Sequence, residues 1–227
     1  GLGNQFLSVA TQSDALLHIV DASGSIDAEG RIAEPGVGDP VADIGDIEEE
    51  LVMWYLKLLE GNQDRVSRIV RAGGAIETAI VEIFQGVGVK EAHVKAAISE
   101  SKLEGKNIDE WTSDESKHFA WVLRDILKPT LIVANKMDLP TSAENFRRIQ
   151  EEYPDLIVVP ASAEAELTLR RAAQKDLIKY VPGEERFEIP DLGKLNEKQR
   201  WALNYIRKAV LGEYMRTGVQ FAINVAV

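Results

Sequence analysis

Three short apolar runs, separated by much longer segments, limit the possible folds of this chain more than any other feature. They are rich in β-branched residues, end at polar or small residues, and lie at residues 15–20, 130–134 and 156–160. Apolar runs of this length are typical of parallel strands that are buried on both faces. Parallel strands are connected by crossover helices that cover the sheet. The sequence therefore predicts an α/β fold, a parallel sheet with helices on both faces.

The connection between the first two runs is too long for one crossover helix. Residues 23–41 are rich in Gly, Pro, Asp and Ser, which predicts a loop. The periodicity then becomes helical: Asp46 is expected to cap a helix whose first turn carries solvated acids, and an apolar stripe predicts a longer helix over 66–84. We therefore predict an all-helical insert and divide the chain into segments 1–42, 43–127 and 128–227.

Further helices follow from capping and periodicity. We expect a short helix near 91–99, and then a helix opened by Thr112 with Glu115 as its capping box. After the third run, helices are predicted over 164–178 and 196–212. The start of the chain has the spacing of an amphipathic helix around residues 6–10.

Composition excludes several functions. The chain has no cysteine, so thiol nucleophiles, disulfides and zinc–thiolate sites are excluded. No apolar run is long enough to span a bilayer and no signal peptide is recognisable, so we expect a cytoplasmic protein without a membrane partner. The net charge of -11 argues against nucleic-acid binding over the whole surface. Any contact with a polyanion must be regional.

The tetrapeptide Asn135-Lys136-Met137-Asp138 directly follows the second apolar run. Guanine presents N1–H and an exocyclic amine as donors, so a carboxylate such as Asp138 can accept from both and reject adenine. Asn135 would tether the loop and reach the base edge. The stem of Lys136 would cover a purine face with its ammonium at the rim, and Met137 would be a spacer.

A second motif follows the third run, at Ser162 and Ala163 in Pro-Ala-Ser-Ala. Small residues let a backbone amide approach a purine carbonyl closely. Ser162 is also a suitable N-cap for the next helix, and both roles can coexist. One Asn-Lys-x-Asp match arises by chance fairly often, whereas two such loops after successive strands predict a guanine site.

The remaining candidate residues carry weaker signals. Arg65, Arg68 and Arg71 share one side of a helix, which indicates either a solvated helix surface or contact with RNA. Asp21, at the end of a strand, is expected to orient the loop that follows it, and the alternative is a position near the nucleotide loop. The three histidines, His18, His93 and His118, show no metal-ligand spacing. The tryptophans lie at helical positions and are expected to pack rather than to stack on bases, at Trp54, Trp111, Trp121 and Trp201.

The two motifs, together with residues 19–24, 128–138 and 162–171, resemble the archaeal YchF-type branch of the Obg family of translation-factor-related GTPases. The resemblance covers nearly the whole chain. It implies a P-loop-GTPase-like domain that is interrupted by a coiled-coil-like helical insert and followed by a small TGS domain. It also implies binding of GTP and GDP, GTP hydrolysis with Mg2+ in the full-length parent, and association with the ribosome or ribosomal RNA.

The sequence departs from that family at the phosphate site. It contains no Gly-x-x-x-x-Gly-Lys-[Ser/Thr] motif, whose amides, lysine and hydroxyl would hold the phosphates and magnesium. In family terms, residues 1–4 resemble the stretch after the second switch, so we expect a fragment that lacks the P-loop and the TGS domain. No catalytic residue or metal ligand can be named. The alternative is a non-enzymatic helical module that binds RNA or protein on an α/β scaffold.

Overall fold

The computed structural model describes residues 13–227, so the helix expected around residues 6–10 lies outside the described residues. The chain divides into two compact units. The helical unit is Gly45–Thr130 with the described residues up to Leu16, and the sheet unit is Leu17–Ile44 with Leu131–Val227. The three predicted strands are present as β1 (Leu16–Asp21), β2 (Thr130–Asn135) and β3 (Ile157–Pro160).

The sheet has the order β1-β2-β3, with β2 at its centre. Strands β2 and β3 pair in parallel, from Leu131 opposite Ile157 to Ala134 opposite Pro160. At the ends of β1, the N–H of Leu16 donates to Pro129 and that of Ala22 donates to Asn135. Both bonds have the same sequence offset, as parallel strands require. The predicted α/β class is confirmed.

Helices cover both faces of β2, as predicted. Leu131 and Val133 pack with Ala222 of the last helix on one face. Ile132 packs on the other face with Ile149 and Ile44, which belong to two other helices. Because side chains alternate along a strand, this apolar run is buried on both sides.

The outer strand β1 differs from the expectation of burial on both faces. Its side chains Leu17 and Ile19 are 44% and 63% exposed. Both point to the same side because they are two residues apart. The prediction of burial on both faces was wrong for this face of β1.

The helical unit contains helices that pack around one main apolar core. They are the main part of α1 (Pro40–Gly61), then α2 (Gln63–Arg71), α3 (Ile76–Ile83), α4 (Glu91–Glu100) and α5 (Ser113–Leu127). Thr112 and Glu115 form the predicted capping box of α5. Phe119 and Leu123 of α5 are fully buried in the core of this unit. Its coiled-coil character stays a prediction.

The prediction of one long helix over 66–84 is wrong, because the helix is interrupted between α2 and α3. Gly73 has a φ of +91°, a left-handed conformation that ends a helix. Gly74 leaves no room for a side chain: an added Cβ would lie 2.6 Å from the Ile69 side chain. The apolar spacing continues across the break because both helices face one core, and it could not show the break by itself.

The predicted start of the first insert helix at Asp46 is also wrong. Helix α1 begins at Pro40, where Asp39 accepts a hydrogen bond from the N–H of Val41 at 3.2 Å. Proline suits the first helical position because its missing N–H would have no helical partner there. Glu48 therefore lies inside the helix. It pairs at 2.7 Å with Arg124, which is 2% exposed, so it is not the solvated acid expected.

The sheet unit is completed by helices that follow β2 and β3. They are α6 (Ser142–Glu152), α7 (Ala163–Gln174), α8 (Glu197–Ile206), a π-helical segment Arg207–Leu211, α9 (Gly212–Tyr214) and α10 (Val219–Ala226). The helix predicted from residue 196 is present as α8, and Asn196 is its N-cap. Leu169 of α7 and Leu203 of α8 pack into a small core of their own. Among residues 13–227, no helix combines the length and apolarity needed to cross a membrane.

Candidate nucleotide-binding site

The Asn-Lys-Met-Asp tetrapeptide forms a tight turn at the carboxyl end of β2. Lys136 has a φ of +63°, a left-handed conformation that is uncommon for a residue with a side chain. Met137 is only 3% exposed and packs with Ala22 and Phe146. The interpretation of Met137 as a spacer was therefore incomplete. Its buried side chain anchors the turn in the sheet unit, and the polar residues on either side are held at the surface.

Hydrogen bonds join this turn to the loop after β3. The N–H of Met137 donates to the carbonyl of Ala161 at 3.0 Å, and the N–H of Ala163 donates to Oδ1 of Asn135 at 3.0 Å. Asn135 thus tethers the two loops to each other. A purine carbonyl that accepted from the Ala163 amide would have to replace the Asn135 oxygen.

Ser162 connects the two motifs directly. It is fully buried, and its hydroxyl donates to Oδ1 of Asp138. The hydroxyl oxygen of Ser162 also accepts from the N–H of Ala165, as an N-cap does. Capping and loop contact therefore coexist in this structure. The donated bond fixes the orientation of the Asp138 carboxylate, and the remaining lone pairs of its two oxygens can accept further bonds.

The position expected for the Lys136 ammonium, at the rim of a purine, stays a prediction. Lys136 itself is bonded to the loop that follows β1. Its Nζ donates to Asp21 at 3.0 Å and to the hydroxyl of Ser25 at 2.8 Å, so the ammonium is paired. Burial disfavours the ionised form of Asp21, but hydrogen bonds from Ser23, Lys136 and Ser25 outweigh it and lower the pKa of this carboxyl. Asp21 does orient its own loop, as predicted, and it also binds Lys136 in the turn at residues 135–138.

The loop after β1 is folded tightly against the turn that precedes α6. The hydroxyl of Thr141 donates to the carbonyl of Ser23 at 2.7 Å, and the Asn145 side chain donates to the carbonyl of Ala22 at 2.9 Å. Gly38 is required here, since an added Cβ would lie 1.9 Å from the carbonyl oxygen of Ile26. Asp21, Ser25 and Thr141 are the residues that sequence reasoning did not assign to this site.

A buried acid, Glu166, stabilises the loop after β3 through hydrogen bonds. Glu166 is 3% exposed and accepts hydrogen bonds from Tyr180 at 2.7 Å, from Arg170 at 2.6 Å and from Thr217. The carbonyl of Thr217 in turn accepts from the N–H of Ser162 at 2.8 Å. Burial of Glu166 is outweighed by these donors, which lower the pKa of its carboxyl.

A tyrosine from α8 contacts the turn at residues 135–138. The hydroxyl of Tyr205 donates to the backbone carbonyl of Asp138. Position 205 is distant in sequence from both motifs, and no short motif marks it. The contact became visible only because the fold brings α8 beside the end of β2.

The five predicted base-recognition residues therefore lie together in the sheet unit. Arg65, Arg68 and Arg71 belong to the helical unit, where Arg65 pairs with Glu82 at 2.7 Å and Arg71 pairs with Asp109. Within residues 13–227, no group of three or more His, Asp or Glu side chains is arranged to hold a metal ion. We therefore assign no magnesium ligand in this chain.

Several known proteins are similar to this chain. Residues 133–227 match the family described as Obg-like GTPase YGR210-like, G4 motif-containing domain. An uncharacterised GTP-binding protein of Methanocaldococcus jannaschii is 40% identical over 230 residues, which cover 100% of this chain and 56% of that protein. The ribosome-binding ATPase YchF of Bacillus subtilis is 30% identical over 185 residues, 78% of this chain and 47% of that protein.

A solved structure supports the same relationship. The GTP-binding protein from Pyrococcus horikoshii OT3 is 36% identical and superimposes with a TM-score of 0.76, covering 96% of this chain and 58% of that chain. The chain spans about half the length of the curated relatives it matches. By these matches in sequence and fold, the chain belongs to the Obg-like, YchF-related family of GTPases.

Proposed function

We propose that this chain carries the base-recognition half of a guanine-nucleotide site, formed by Asn135, Lys136, Asp138, Ser162 and Ala163. The observation that carries the proposal is the bond from Ser162 to Asp138. It orients a carboxylate at the carboxyl ends of parallel strands, which is where nucleotides bind in open sheets. Because the orientation exists before a ligand arrives, less ordering accompanies binding.

Guanine follows from the chemistry of that carboxylate. A carboxylate accepts hydrogen bonds and donates none, so it complements the N1–H and exocyclic amine of guanine. Adenine offers an unprotonated N1 at the same position, and two acceptors would then face each other. The related YchF of Bacillus subtilis bears the name of an ATPase, so base preference is a property that each member needs to have measured.

We further propose that the extended protein, meaning this chain joined to a segment with a phosphate-binding loop, hydrolyses GTP in the cytoplasm. Magnesium and the phosphate-binding loop would supply the charge stabilisation for phosphoryl transfer to water. The residues of this chain bind and orient the base and leave the phosphates to the other segment. GTP and GDP are then ligands of the same base site.

Calorimetric titration with GTP and with ATP tests this proposal on the chain alone and on the extended protein. Phosphate contacts supply most of the affinity in such sites, so the chain alone should bind GTP weakly and should not hydrolyse it. The extended protein should bind GTP more tightly than ATP by at least about tenfold. Equal affinity for both nucleotides in the extended protein would contradict guanine recognition.

A second function concerns the helical unit, which we propose contacts ribosomal RNA through Arg65, Arg68 and Arg71. The three side chains are exposed on α2. Arg68 forms no ion pair with the described residues, although its Nε donates to the carbonyl of Asp64 at 3.2 Å. The ion pairs of Arg65 and Arg71 are exposed, so they cost little to exchange for phosphate contacts. A non-enzymatic binding module remains the alternative if the base site proves inactive.

Changing the three arginines to glutamine tests the RNA contact separately from nucleotide binding. Ribosome cosedimentation across a salt series should show weaker binding and a shallower salt slope, because fewer counterions are released. Nucleotide affinity should not change. Arg147, which is exposed on α6, provides a control as Arg147→Gln. Unchanged cosedimentation by the triple variant would leave the arginines as a solvated helix surface.

A further inference from the structure

Helices α7 and α8 enclose a groove with an apolar floor and a basic rim, here named the α7–α8 groove. Its cavity is about 260 Å3. Leucine side chains from the following loop, the preceding loop and α8 itself form the floor, at Leu177, Leu195 and Leu203. Leu195 and Leu203 are buried in the small core between these helices. The groove therefore offers aliphatic surface at its base.

The rim carries three cations, Arg171 on α7, Lys175 at the C-cap of α7 and Lys198 on α8. All three are exposed, and none forms a hydrogen bond or an ion pair with its side chain in the described part of the chain. Arg170, their neighbour, is bonded to Glu166 at 2.6 Å. The three rim cations are therefore available to an external anion, whereas the adjacent arginine serves the fold.

This concentration of positive charge contrasts with the rest of the protein, which carries a net charge of -11. Acids do occur beside the rim cations in sequence, at Asp176 next to Lys175 and at Glu197 next to Lys198, but neither pairs with a rim cation in the described part of the chain. Local charge of one sign attracts and orients a partner of the opposite sign. The rim thus favours a partner that presents carboxylates.

The size and lining of the groove indicate what enters it. Cavities that hold whole small molecules are usually about 300–1,000 Å3, so this one is better matched to an apolar side chain of a larger partner. The residues lining it include no aromatic ring. A nucleic-acid base would find no stacking surface within it, whereas an aliphatic side chain would find aliphatic contacts.

An exposed aromatic pair extends the same surface along α8. Trp201 is 68% exposed, and its ring stacks on Tyr205 with centroids 5.3 Å apart. A shallow hollow beside the groove is lined by Trp201 together with Lys198 and Ala202, which also line the groove. Tryptophan, tyrosine and arginine are the residues most enriched at the energetic centres of protein interfaces. Trp201 was expected to pack, and its packing is limited to one face that lies on Tyr205.

We propose that the α7–α8 groove is a docking site for an acidic segment of a partner protein. The segment inserts an aliphatic side chain between the helices and places its carboxylates on Arg171, Lys175 and Lys198. Trp201 covers the side of the bound segment. This inference is independent of the guanine site, because it uses none of the residues assigned to base recognition.

A short peptide serves as the probe. The acetylated hexapeptide Glu-Asp-Leu-Leu-Asp-Glu is titrated into the chain, and binding is followed by tryptophan fluorescence. We expect saturable binding below about 1 mM and a blue shift that is lost in Trp201→Phe. The combined substitution Arg171→Gln, Lys175→Gln and Lys198→Gln should weaken it about tenfold, the effect of three exposed charge contacts. Replacing both leucines of the peptide with serine should also weaken it.

A matched control removes the same charge elsewhere. Lys57, Lys95 and Lys208 are exposed and lie outside the groove, so their combined change to glutamine should leave peptide affinity unchanged. The proposal is overturned if this control weakens binding as much as the rim substitutions do, or if the serine peptide binds equally well. Tighter binding of oligouridylate than of the peptide at the same rim residues would overturn it in favour of RNA. Absence of saturable peptide binding below about 1 mM would also overturn it.

Discussion

The ammonium of Lys136 lies 3.0 Å from the carboxylate of Asp21 and joins the carboxyl ends of β2 and β1. From the sequence, this ammonium was expected at the rim of a purine, and Asp21 was expected to orient its own loop, with a position near the nucleotide loop as the alternative. The pair fixes the end of the lysine side chain, so that its aliphatic stem has one defined path. The turn at residues 135–138 therefore depends on a residue in the preceding strand.

We predict that Asp21→Asn destabilises the chain by about 1–3 kcal/mol, since the ammonium of Lys136 and the donors of the following loop lose their charged acceptor. Urea unfolding at pH 7 measures this change. Asp27→Asn is the matched control: Asp27 also accepts from its own loop, at the N–H groups of Glu29 and Arg31, but its ion pair is with the exposed Arg31 and it does not contact Lys136. A clearly larger loss for Asp21 is expected, and equal losses would show that the pair with Lys136 contributes no more than an exposed ion pair does.

Ser162→Ala should affect stability and base recognition together. Losing the N-cap of α7 should cost about 1 kcal/mol, and losing the donor to Asp138 should weaken GTP binding by the extended protein about tenfold. Thr112→Ala removes a comparable cap from α5 in the helical unit. It should lower the unfolding free energy similarly without changing GTP affinity, as measured by urea unfolding and calorimetry. A parallel loss of affinity in both variants would mean that Ser162 acts only through stability.

Stability should fall in acid partly because of Glu166. Its donors lower the pKa of the carboxyl in the folded state below the ordinary value of 4.5. Its contribution is therefore complete above pH 4.5 and is lost as the pH falls through the folded-state pKa. Glu166→Gln should cost about 2–4 kcal/mol at pH 7, because buried donors lose a charged acceptor, and less at low pH.

Unfolding free energies of both proteins from pH 7 to pH 3 test this prediction. Glu48 acts in the opposite sense, since burial raises its pKa even though Arg124 partly opposes the shift. Both proteins contain Glu48, so its contribution cancels when the unfolding free energy of Glu166→Gln is subtracted from that of the native chain. A difference that does not shrink below pH 4.5 would show that the carboxylate is not the source.

The sequence was sufficient for those features that depend on local patterns. Strand β2 was recognisable as an apolar run because it is buried on both faces. The capping box of Thr112 and Glu115 was recognisable because its two residues are only three positions apart. The residues proposed for base recognition could be named because two motifs follow successive parallel strands. Parallel strands end at the same edge of a sheet, so spacing along the chain was enough to bring Asn135 and Ser162 together.

Features that depend on tertiary contacts were missed. The signal for the start of α1 was present in Asp39 and Pro40, but the Gly- and Pro-rich composition around it indicated a loop. Periodicity continued across Gly73 because two separate helices face the same core. The bond from Tyr205 to Asp138 joins residues that are 67 positions apart. No local pattern in the sequence reports such a pair.

Base discrimination by Asp138 is the central claim, and Asp138→Asn in the extended protein tests it most directly. An asparagine cannot accept from both guanine donors at once through a single oxygen, but its amide can donate to the C2 carbonyl of xanthine. Equilibrium titration with GTP and xanthosine triphosphate should show GTP affinity reduced by about 2–4 kcal/mol and a relative preference for the xanthine nucleotide. Undiminished GTP affinity, or an equal loss for both nucleotides, would contradict the assignment of Asp138 to the guanine edge.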